Sequence, residues 1–265
     1  MFIAHQVNML KQSSDHGLIE VENYESNYME LPFENIMREY RKRNVIETLN
    51  NYTHSRFLEV GCGADPLFLE INDFDQMVVV EPGNLFYEMA KTNSNSNPNI
   101  VIVNNLIENI GDELIHGPFD FVVIGGFLHE IKRPDVVLQA VRKLCSKNTV
   151  VYSFVPNAKS FHRLLAYEMG IIENVYQKSG HDELFQRQKS YDSDSFNELL
   201  ADNGFSVVES GSYFIKPFTH DQMNELLLKG IIDKTCLNGL GKMTKYFPEQ
   251  GAEIYNISRI DDQFS

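Results

Sequence analysis

Cysteine is scarce in this sequence of 265 residues, which contains Cys62, Cys145 and Cys236 and no C-x-x-C pair. The three lie far apart and have no histidine partners at metal-ligand spacing, which argues against a disulfide framework and a zinc site. Long apolar runs are also missing, because no segment approaches the roughly 20 residues that span a bilayer. The segment Met1 to Lys11 lacks the basic start of a signal peptide. We therefore expect a soluble, cytoplasmic chain without membrane contact.

Basic residues are few relative to acidic ones, since 23 lysines and arginines face 37 aspartates and glutamates and the formal net charge is -14. Affinity for nucleic acid comes largely from lysine and arginine side chains that displace counterions, so this balance argues against a nucleic-acid partner. The basic cluster Arg38 to Arg43 shares a helix-like run with Glu34 and Glu39, which is typical of a solvated helix face. The expected partner is a small molecule, and a homodimer stays open.

Short apolar runs alternate with stretches of helical spacing between Phe57 and Val155, which predicts βαβ units and a parallel sheet. With two later runs, the predicted strands are Phe57–Gly61, Met77–Glu81, Ile100–Val103, Phe119–Gly125, Thr149–Val155, Phe205–Glu209 and Glu253–Ser258. The predicted helices are Glu34–Leu49, Pro66–Ile71, Leu85–Thr92, Asp135–Leu144, Ser160–Tyr176, Asp194–Asn203, Thr219–Lys229 and Lys234–Tyr246. The last two helices form an inserted pair between the last two strands.

A glycine turn follows the first predicted strand, in the segment F-L-E-V-G-C-G-A-D-P at 57–66. Gly61 and Gly63 let the backbone approach a ligand that a Cβ atom would obstruct, and the Asp65–Pro66 pair is suited to open a helix. The second predicted strand ends in Glu81, placed to accept hydrogen bonds from ribose hydroxyls. This pattern predicts a nucleotide-type crevice. A proline where dinucleotide sites have a third glycine argues against a nicotinamide-dependent enzyme.

Two further motifs follow in order, Asn104-Asn-Leu-Ile-Glu108 after the third strand and Phe119-Asp-Phe-Val-Val-Ile124 in the fourth. In this order and at this spacing, the chain resembles the class I S-adenosylmethionine-dependent methyltransferases from about Phe57 to Pro156. The resemblance implies an α/β fold with a Rossmann-like, doubly wound seven-stranded sheet whose last strand is antiparallel. It also implies a helical N-terminal lid and inserted helices after strands 5 and 6. The implied cofactor is S-adenosyl-L-methionine, with S-adenosyl-L-homocysteine as product.

The resemblance assigns cofactor roles to matched positions. The implied contacts are Glu59, Gly61, Gly63, Glu81, Pro82, Asn105, Leu106, Ile107, Gly125 and Gly126, and outside the matched stretch Tyr28 and Arg38 are further candidates. The glycines and Glu59 line the methionine end, Glu81 binds the ribose, and residues 105–107 hold the adenine ring. Tyr28 closes over the sulfonium, and one arginine of the run 38–43, for which we select Arg38, pairs with the methionine carboxylate. Alternatives stay open: glycines that only form turns, Glu81 as a helix cap, and Tyr28 as an ordinary lid aromatic.

His129 follows the fourth predicted strand on the side of the matched glycines and is the candidate catalytic residue. Methyl transfer is an in-line displacement, so alignment of acceptor, methyl group and sulfur lowers most of the barrier. A hydroxyl acceptor also needs a base, and histidine is best matched to neutral pH. The alternative is a loop histidine that fixes the backbone. The segment Gly125–Leu128 offers no acidic or amide metal ligand, so we expect a metal-independent reaction.

The segment Val155-Pro-Asn-Ala-Lys-Ser-Phe-His-Arg163 resembles one small-molecule branch of these methyltransferases, in which it leads to an inserted helix over the acceptor pocket. The candidate acceptor contacts are Tyr24, Asn157, His162, Arg163 and His181. A solvated helix face is the alternative for His162 and Arg163. We expect O-methylation of a small soluble acceptor, such as a glycan or a nucleotide-activated precursor of a surface polysaccharide. N-methylation and a catalytically silent binding or regulatory subunit are the alternatives.

The chain length suits one well-filled α/β domain, and we expect a single methyltransferase domain over residues 1–265. An N-terminal lid and helix occupy 1–50, and the cofactor-binding core occupies 57–156. The acceptor-side insertion follows at 157–192. Residues 193–265 supply a further helix, the last strands and the inserted helices.

Overall fold

A computed structural model of the chain describes residues 32–111, 116–178 and 187–264, which form a seven-stranded sheet flanked by helices. The strands are β1 (Arg56–Val60), β2 (Gln76–Val80), β3 (Ile100–Val103), β4 (Phe119–Ile124), β5 (Cys145–Pro156), β6 (Phe205–Tyr213) and β7 (Glu253–Ile260). The α-helices are α1 (Pro32–Leu49), α2 (Asn84–Asn93), α3 (Pro134–Lys143), α4 (Phe161–Glu168), α5 (Ser193–Ala201), α6 (His220–Leu228) and α7 (Lys234–Lys242).

The strand order is β3-β2-β1-β4-β5-β7-β6, which confirms the predicted Rossmann-like sheet. Strands β1 to β5 pair in parallel, whereas β7 pairs antiparallel with both β5 and β6. The carboxyl ends of β5 and β6 therefore meet the start of β7, and Glu253 lies opposite both Pro156 and Tyr213. We call this side of the sheet, where strands β1 to β6 end, the carboxyl edge.

The central strands are almost continuously apolar because helices and loops cover both faces of the parallel part of the sheet. Along β1, Leu58 and Val60 pack into the core on one face, while Phe57 packs into the core on the other. Strand β4 alternates in the same way, with Val122 on the first face and Phe121 on the second. These side chains are at most 3% exposed, so each contributes roughly 1.5–3 kcal/mol of hydrophobic stabilisation. This two-sided core fixes the positions of the strand ends.

The helix predicted at Pro66–Ile71 is wrong, because this stretch forms a single 3-10 turn at Leu67–Leu69. Leu67, Phe68 and Ile71 are buried in the core without a regular helix. The buried Glu59 carboxylate accepts the backbone N–H of Leu67 at 3.1 Å and so stabilises the turn. Asp65, expected to open a helix, instead lies 2.5 Å from the Lys42 ammonium of α1. A charge on a separate helix thus takes the place of a local cap.

The inserted helices lie where the sequence predicts them, α4 after β5 and the pair α6 and α7 between β6 and β7. Two of them are shorter than expected. Helix α4 ends at Glu168 rather than Tyr176, since Gly170 adopts φ +70° and a left-handed residue ends an α-helix. Helix α7 ends at Lys242 and continues only as a 3-10 turn, Met243–Lys245.

Helix α1 packs against the inserted pair through a separate apolar cluster, whose buried members are Phe33, Met37, Tyr213, Phe214, Met223, Leu237 and Ala252. This packing holds one face of α1 close to the carboxyl edge, so that Arg41 reaches Glu253 at the start of β7. The predicted lid, with Tyr24 and Tyr28, lies outside the described residues. None of the helices described is both long and apolar enough to cross a membrane.

Candidate active site

The loops that leave β1 and β4 touch each other at the carboxyl edge. The N–H of Gly125 donates to the carbonyl of Val60 at 2.8 Å, and a Cβ atom on Gly125 would lie 1.9 Å from the carbonyl oxygen of Gly61. Gly126 adopts φ +77°, and a Cβ there would lie 2.3 Å from the Phe154 ring. Contact with the β1 loop therefore accounts for Gly125, and the positive φ and the Phe154 ring of β5 account for Gly126, whereas the sequence predicts a ligand contact for both.

The Glu81 carboxylate is held by the backbone of two loops. Its Oε2 accepts the N–H of Gly63 at 3.0 Å, and its Oε1 accepts the N–H of Gly83 at 2.8 Å. The side chain is buried, and the Cys62 thiol lies 3.7 Å from Oε2. A carboxylate offers about four lone-pair sites, so it can accept several N–H or O–H donors at once. This geometry suits the ribose role predicted for Glu81.

The residues after β3 join the ends of β2 and β3. The Asn104 amide donates to the backbone carbonyl of Glu81 at 3.0 Å, a link that sequence patterns do not reveal. The Asn105 side-chain oxygen accepts the N–H of Leu106 at 2.9 Å. Ile107 is buried in the core and begins a 3-10 turn. The predicted adenine segment is thus a fixed turn beside Glu81, with Leu106 half-buried.

Glu59 lies buried beneath the glycine turn. Burial raises the pKa of its carboxyl to about 8, although the hydrogen bond from Leu67 and the charge of Lys42 act in the opposite direction. The group is therefore mostly protonated at neutral pH. In the described residues its hydrogen bonds run to the backbone of the turn, and its predicted contact with the methionine end of the cofactor stays a prediction.

His129 lies in the loop after β4 and is only 4% exposed. Its Nε2 is 3.3 Å from the Glu130 carboxylate, and its Nδ1 has no hydrogen-bond partner among the residues described. Burial lowers the pKa of the imidazole, against the opposing influence of Glu130, so the ring is neutral near pH 7. The carbonyl of His129 accepts the N–H of Gln188 at 2.8 Å, which brings the segment from residue 187 against this loop.

A buried polar cluster lies where β6 ends and β7 begins, and its members come from α1, β6, the segment after β6, α6 and β7. We call it the β6–β7 cluster, and it comprises Glu34, Arg41, Tyr213, Lys216, His220 and Glu253. Its centre is Arg41, which donates from Nε to Glu253 and from Nη2 to Glu34, both at 3.0 Å. The Tyr213 hydroxyl also donates to Glu253. The two carboxylates thus share the single positive charge of Arg41.

Lys216 and His220 extend the β6–β7 cluster toward α6. The Lys216 ammonium lies 2.9 Å from His220 Nδ1, and His220 Nε2 lies 3.3 Å from Glu34. Burial acts to raise the pKa of Glu34, but Arg41 and His220 outweigh it and hold that pKa well below its usual range. Burial lowers the pKa of Lys216 to about 7. Sequence reasoning missed this cluster because its members are far apart along the chain.

Two predicted acceptor residues hold backbone segments in this structure. The Asn157 amide nitrogen donates to the carbonyls of Glu249 at 2.8 Å and Gly251 at 2.9 Å. The Arg163 guanidinium donates to the carbonyl of Val175 at 2.8 Å and to that of Gln177. These contacts support a structural role for Asn157 and Arg163, and acceptor contacts of either residue stay predictions.

The remaining predicted positions fall into two groups, those that lie within the described residues and those that do not. His162 lies 3.1 Å from the Ser160 hydroxyl, and burial lowers its pKa well below the usual value. The selected Arg38 donates to the neighbouring Asn35, whereas Arg41 from the same run reaches the strand ends. His181, like Tyr24 and Tyr28, lies outside the described residues. Among those described, no group of three or more histidine, cysteine or acidic side chains has the arrangement of a metal site.

A family model described as "Methyltransferase domain" matches residues 33–210 of the chain. The fold is similar to a Thermotoga maritima S-adenosylmethionine-dependent methyltransferase, described as a possible histamine N-methyltransferase, with 15% identity, a TM-score of 0.56 and coverage of 90% of this chain and 95% of that one. It is also similar to the N-methyltransferase NodS of Bradyrhizobium japonicum, which was solved with S-adenosyl-L-homocysteine. The identity is 12%, the TM-score is 0.53, and the match covers 88% of this chain and 90% of that one. The fold is similar as well to the carbon methyltransferase CurJ, with 14% identity, a TM-score of 0.53 and coverage of 90% of this chain and 57% of that one. No curated protein matched.

The residues at the carboxyl edge fit S-adenosylmethionine. Just after β2, the N–H groups of Gly63 and Gly83 hold the Glu81 carboxylate at the position where an acid binds ribose hydroxyls in doubly wound nucleotide sites. Gly61 and Gly63 adopt φ +77° and +55°, a backbone conformation that favours glycine, and a Cβ on Gly61 would lie 2.9 Å from the Phe127 ring. The family match spans well over half of the chain and the sheet has the corresponding topology. The chain therefore belongs to the methyltransferase-domain family of S-adenosylmethionine-dependent methyltransferases.

Proposed function

We propose that this enzyme is an O-methyltransferase that acts on a small acceptor, with His129 as the base that removes the hydroxyl proton and without a metal ion. The observation that carries the proposal is the buried Nδ1 of His129, which has no hydrogen-bond partner in the described chain and follows the strand end that bears Gly125 and Gly126. S-adenosylmethionine supplies the methyl group as an electrophile bound to sulfur.

The surroundings of His129 suit a base. Burial keeps the imidazole neutral, and the Glu130 carboxylate 3.3 Å from Nε2 favours the tautomer that carries its proton there. Nδ1 then has the free lone pair that an acceptor hydroxyl needs. When the proton arrives, Glu130 stabilises the imidazolium, in the way that a carboxylate supports the histidine of a catalytic triad. His129 therefore stabilises the transition state, in which the acceptor hydroxyl is losing its proton.

The choice of oxygen rests on this need for a base during the reaction. An amine that reaches the site already unprotonated attacks without help and loses its proton later, whereas a hydroxyl becomes a good nucleophile only as its proton departs. Among candidate acceptors we place glycans and nucleotide-activated sugar precursors first, because the segment 155–163 resembles one small-molecule branch of these methyltransferases. Labelled cofactor and metabolite pools, followed by mass spectrometry of the labelled product, will identify the methylated atom.

The His129→Ala variant tests the base. We expect kcat to fall by roughly 100-fold or more, because general-base catalysis contributes factors of this size, while affinity for S-adenosyl-L-homocysteine stays within about twofold. The exposed Glu88→Ala variant on α2 is the control, and its kcat should equal that of the unmodified enzyme. An unchanged kcat in His129→Ala would remove His129 from the reaction, and a nitrogen-methylated product would replace O-methylation with N-methylation.

A further inference from the structure

The ring of Phe154 lies against the backbone of Gly126, in the loop after β4 that also carries His129. A Cβ atom on Gly126 would lie 2.3 Å from this ring, so the ring edge is in contact with the turn. Phe154 belongs to β5, which pairs with β4, and its side chain is buried. The ring packs in the same apolar cluster as Cys62 of the glycine turn. Phe154 therefore limits how far the loop after β4 can move toward β5.

Two residues of α1 contact aromatic side chains of β5. The Arg41 guanidinium carbon lies 5.4 Å from the centroid of the Phe154 ring, a distance at which a cation is attracted to the face of an aromatic ring. One turn further along the helix, Asn44 accepts a hydrogen bond from the Tyr152 hydroxyl. Tyr152 and Phe154 share a face of β5, because residues two apart along a strand point to the same side. Helix α1 thus packs over the face of β5 from which Phe154 reaches Gly126.

Hydrogen bonds fix the Arg41 guanidinium in place over the Phe154 ring. Its Nε donates to Glu253 and its Nη2 donates to Glu34, both at 3.0 Å. Glu253 begins β7 and lies opposite Pro156 of β5, close to Phe154 in the sheet. A guanidinium is planar and stacks on an aromatic face, whereas a lysine ammonium is a compact charge on a flexible stem. The contact with the ring therefore depends on arginine and on the two carboxylates that orient it.

The neighbouring residue, Lys42, ties α1 to the loop after β1. Its buried ammonium lies 2.5 Å from the Asp65 carboxylate, which follows the glycine turn. The loops after β1 and β4 also touch each other, since the N–H of Gly125 donates to the carbonyl of Val60. Helix α1 therefore contacts the first loop directly and reaches the second loop through Phe154.

We propose that Arg41 is a positioning residue, which holds the Phe154 ring against Gly126 and so keeps the loop after β4 in the place where it borders the cofactor. This inference rests on the proposed function of the same site, in which that loop contacts the cofactor, and adds the side chain that fixes the loop. Arg41 acts through the ring and does not touch the cofactor. Its loss lets the ring and the loop shift, and a displacement of about 1 Å in a site has large effects on binding and catalysis.

A double-mutant cycle on the affinity for S-adenosyl-L-homocysteine tests the assignment. Arg41→Lys keeps a positive charge beside the two carboxylates but lacks the planar group, and Phe154→Leu removes the ring. In calorimetric titration we expect each single variant to bind roughly 10-fold more weakly than the unmodified protein. The double variant should also be weakened roughly 10-fold rather than 100-fold, because both changes break the same contact. Additive losses would indicate a direct contact of Arg41 with the cofactor and would overturn the proposal, as would unchanged affinity in either single variant.

Arg56→Lys is the matched control. The Arg56 guanidinium carbon lies 5.3 Å from the centroid of the Phe119 ring, at the edge of the sheet where β1 and β4 begin. This variant should bind S-adenosyl-L-homocysteine like the unmodified protein, although its melting temperature without ligand falls as it does for Arg41→Lys. Gly125→Ala separates the two assumptions. Weak binding in Gly125→Ala with full affinity in Arg41→Lys would contradict the role of Arg41 alone, whereas full affinity in Gly125→Ala would contradict the cofactor role of the loop.

A second measurement covers the case in which Phe154→Leu does not fold. Amide hydrogen exchange is compared in Arg41→Lys and in the unmodified protein, because local opening of a loop raises the exchange rate of the amides that it frees. The Gly125 amide reports on the contact between the loops, since it donates to the Val60 carbonyl at 2.8 Å. We expect this amide to exchange several-fold faster in Arg41→Lys, and amides within β1 to exchange at unchanged rates. Equal exchange of the Gly125 amide in both proteins would again contradict the assignment.

Discussion

Burial changes the protonation of several single side chains at the carboxyl edge. Glu59 is the clearest case, because its pKa is raised to about 8 and its carboxyl group is mostly neutral at pH 7. The unfolded chain ionises this group near its ordinary pKa, so the folded state binds more protons between about pH 4.5 and 8. Stability that depends on Glu59 must therefore fall as the pH rises through this window.

The Glu59→Gln variant tests this dependence. Glutamine resembles the protonated carboxyl and keeps an acceptor for the Leu67 N–H, so the variant should lose the pH dependence that Glu59 causes. We expect its free energy of unfolding to exceed that of the unmodified protein increasingly from pH 5 to pH 8, by up to about 1.4 kcal/mol per pH unit. Urea unfolding at several pH values measures the difference. Parallel pH profiles for the two proteins would show that Glu59 is ionised in the fold.

Sequence patterns located several site residues but not their partners. The glycine turn and Glu81 were predicted from their positions after β1 and β2, because strand ends of a parallel sheet meet at one edge. The partners of Glu81 and the ion pairs of Arg41 were not predicted, since they depend on loop geometry and on contacts between distant segments. Local periodicity carries no information about which polar atoms meet across the fold.

At the scale of elements, the site depends on how closely the loops after β1 and β4 approach. Because a Cβ on Gly125 would lie 1.9 Å from the Gly61 carbonyl oxygen, no side chain fits there without moving the backbone. The strands themselves are fixed by a core that packs both of their faces. The loops therefore have little freedom to separate.

The Gly125→Ala variant should separate these loops at a cost in stability. We expect a loss of about 1–3 kcal/mol in the free energy of unfolding, as for overpacked cores, together with weaker binding of S-adenosyl-L-homocysteine. Gly239→Ala in α7 is the control, because a Cβ there meets nothing within 4 Å and helical alanine is favoured by about 1 kcal/mol. Chemical unfolding and calorimetric titration measure both effects. Equal stability of Gly125→Ala and the unmodified protein would contradict the close approach.

Prediction of the elements was most accurate where the pattern was long and least accurate in the connections. The seven strands and the inserted helices follow from apolar runs and periodicity. The stretch after the glycine turn carries apolar residues at helical spacing, yet it forms a 3-10 turn. Glu59 of β1 accepts the N–H of Leu67, and Lys42 of α1 pairs with Asp65, so both contacts fix the start of the turn. Polar side chains on other elements thus decided the outcome.

At the scale of the whole molecule, cofactor binding should be coupled to stability. A ligand that binds only the folded chain and is present at 100 times its Kd adds about 2.7 kcal/mol to the free energy of unfolding. For a chain of this size, we expect S-adenosyl-L-homocysteine to raise the melting temperature by roughly 5–10 °C. Differential scanning fluorimetry measures this shift.

The Glu81→Gln variant links that stabilisation to the proposed ribose contact. An amide has one acceptor oxygen where the carboxylate has two, so we expect a melting-temperature shift well below that of the unmodified protein. Glu88→Ala, an exposed change on α2, should show the full shift. If Glu81→Gln and the unmodified protein were stabilised equally, the ribose would have to bind elsewhere.

The antiparallel placement of β7 between β5 and β6 has a consequence for biosynthesis. It makes Arg41 of α1 a partner of Glu253, 212 positions further along the chain. While the ribosome is still translating the segment before Glu253, the glycine turn and the Glu81 strand have already been synthesised, but the β6–β7 cluster lacks one of its carboxylates. We expect a nascent chain to form the β1–β4 half of the sheet early and to complete the β6–β7 cluster only when β7 inserts between β5 and β6.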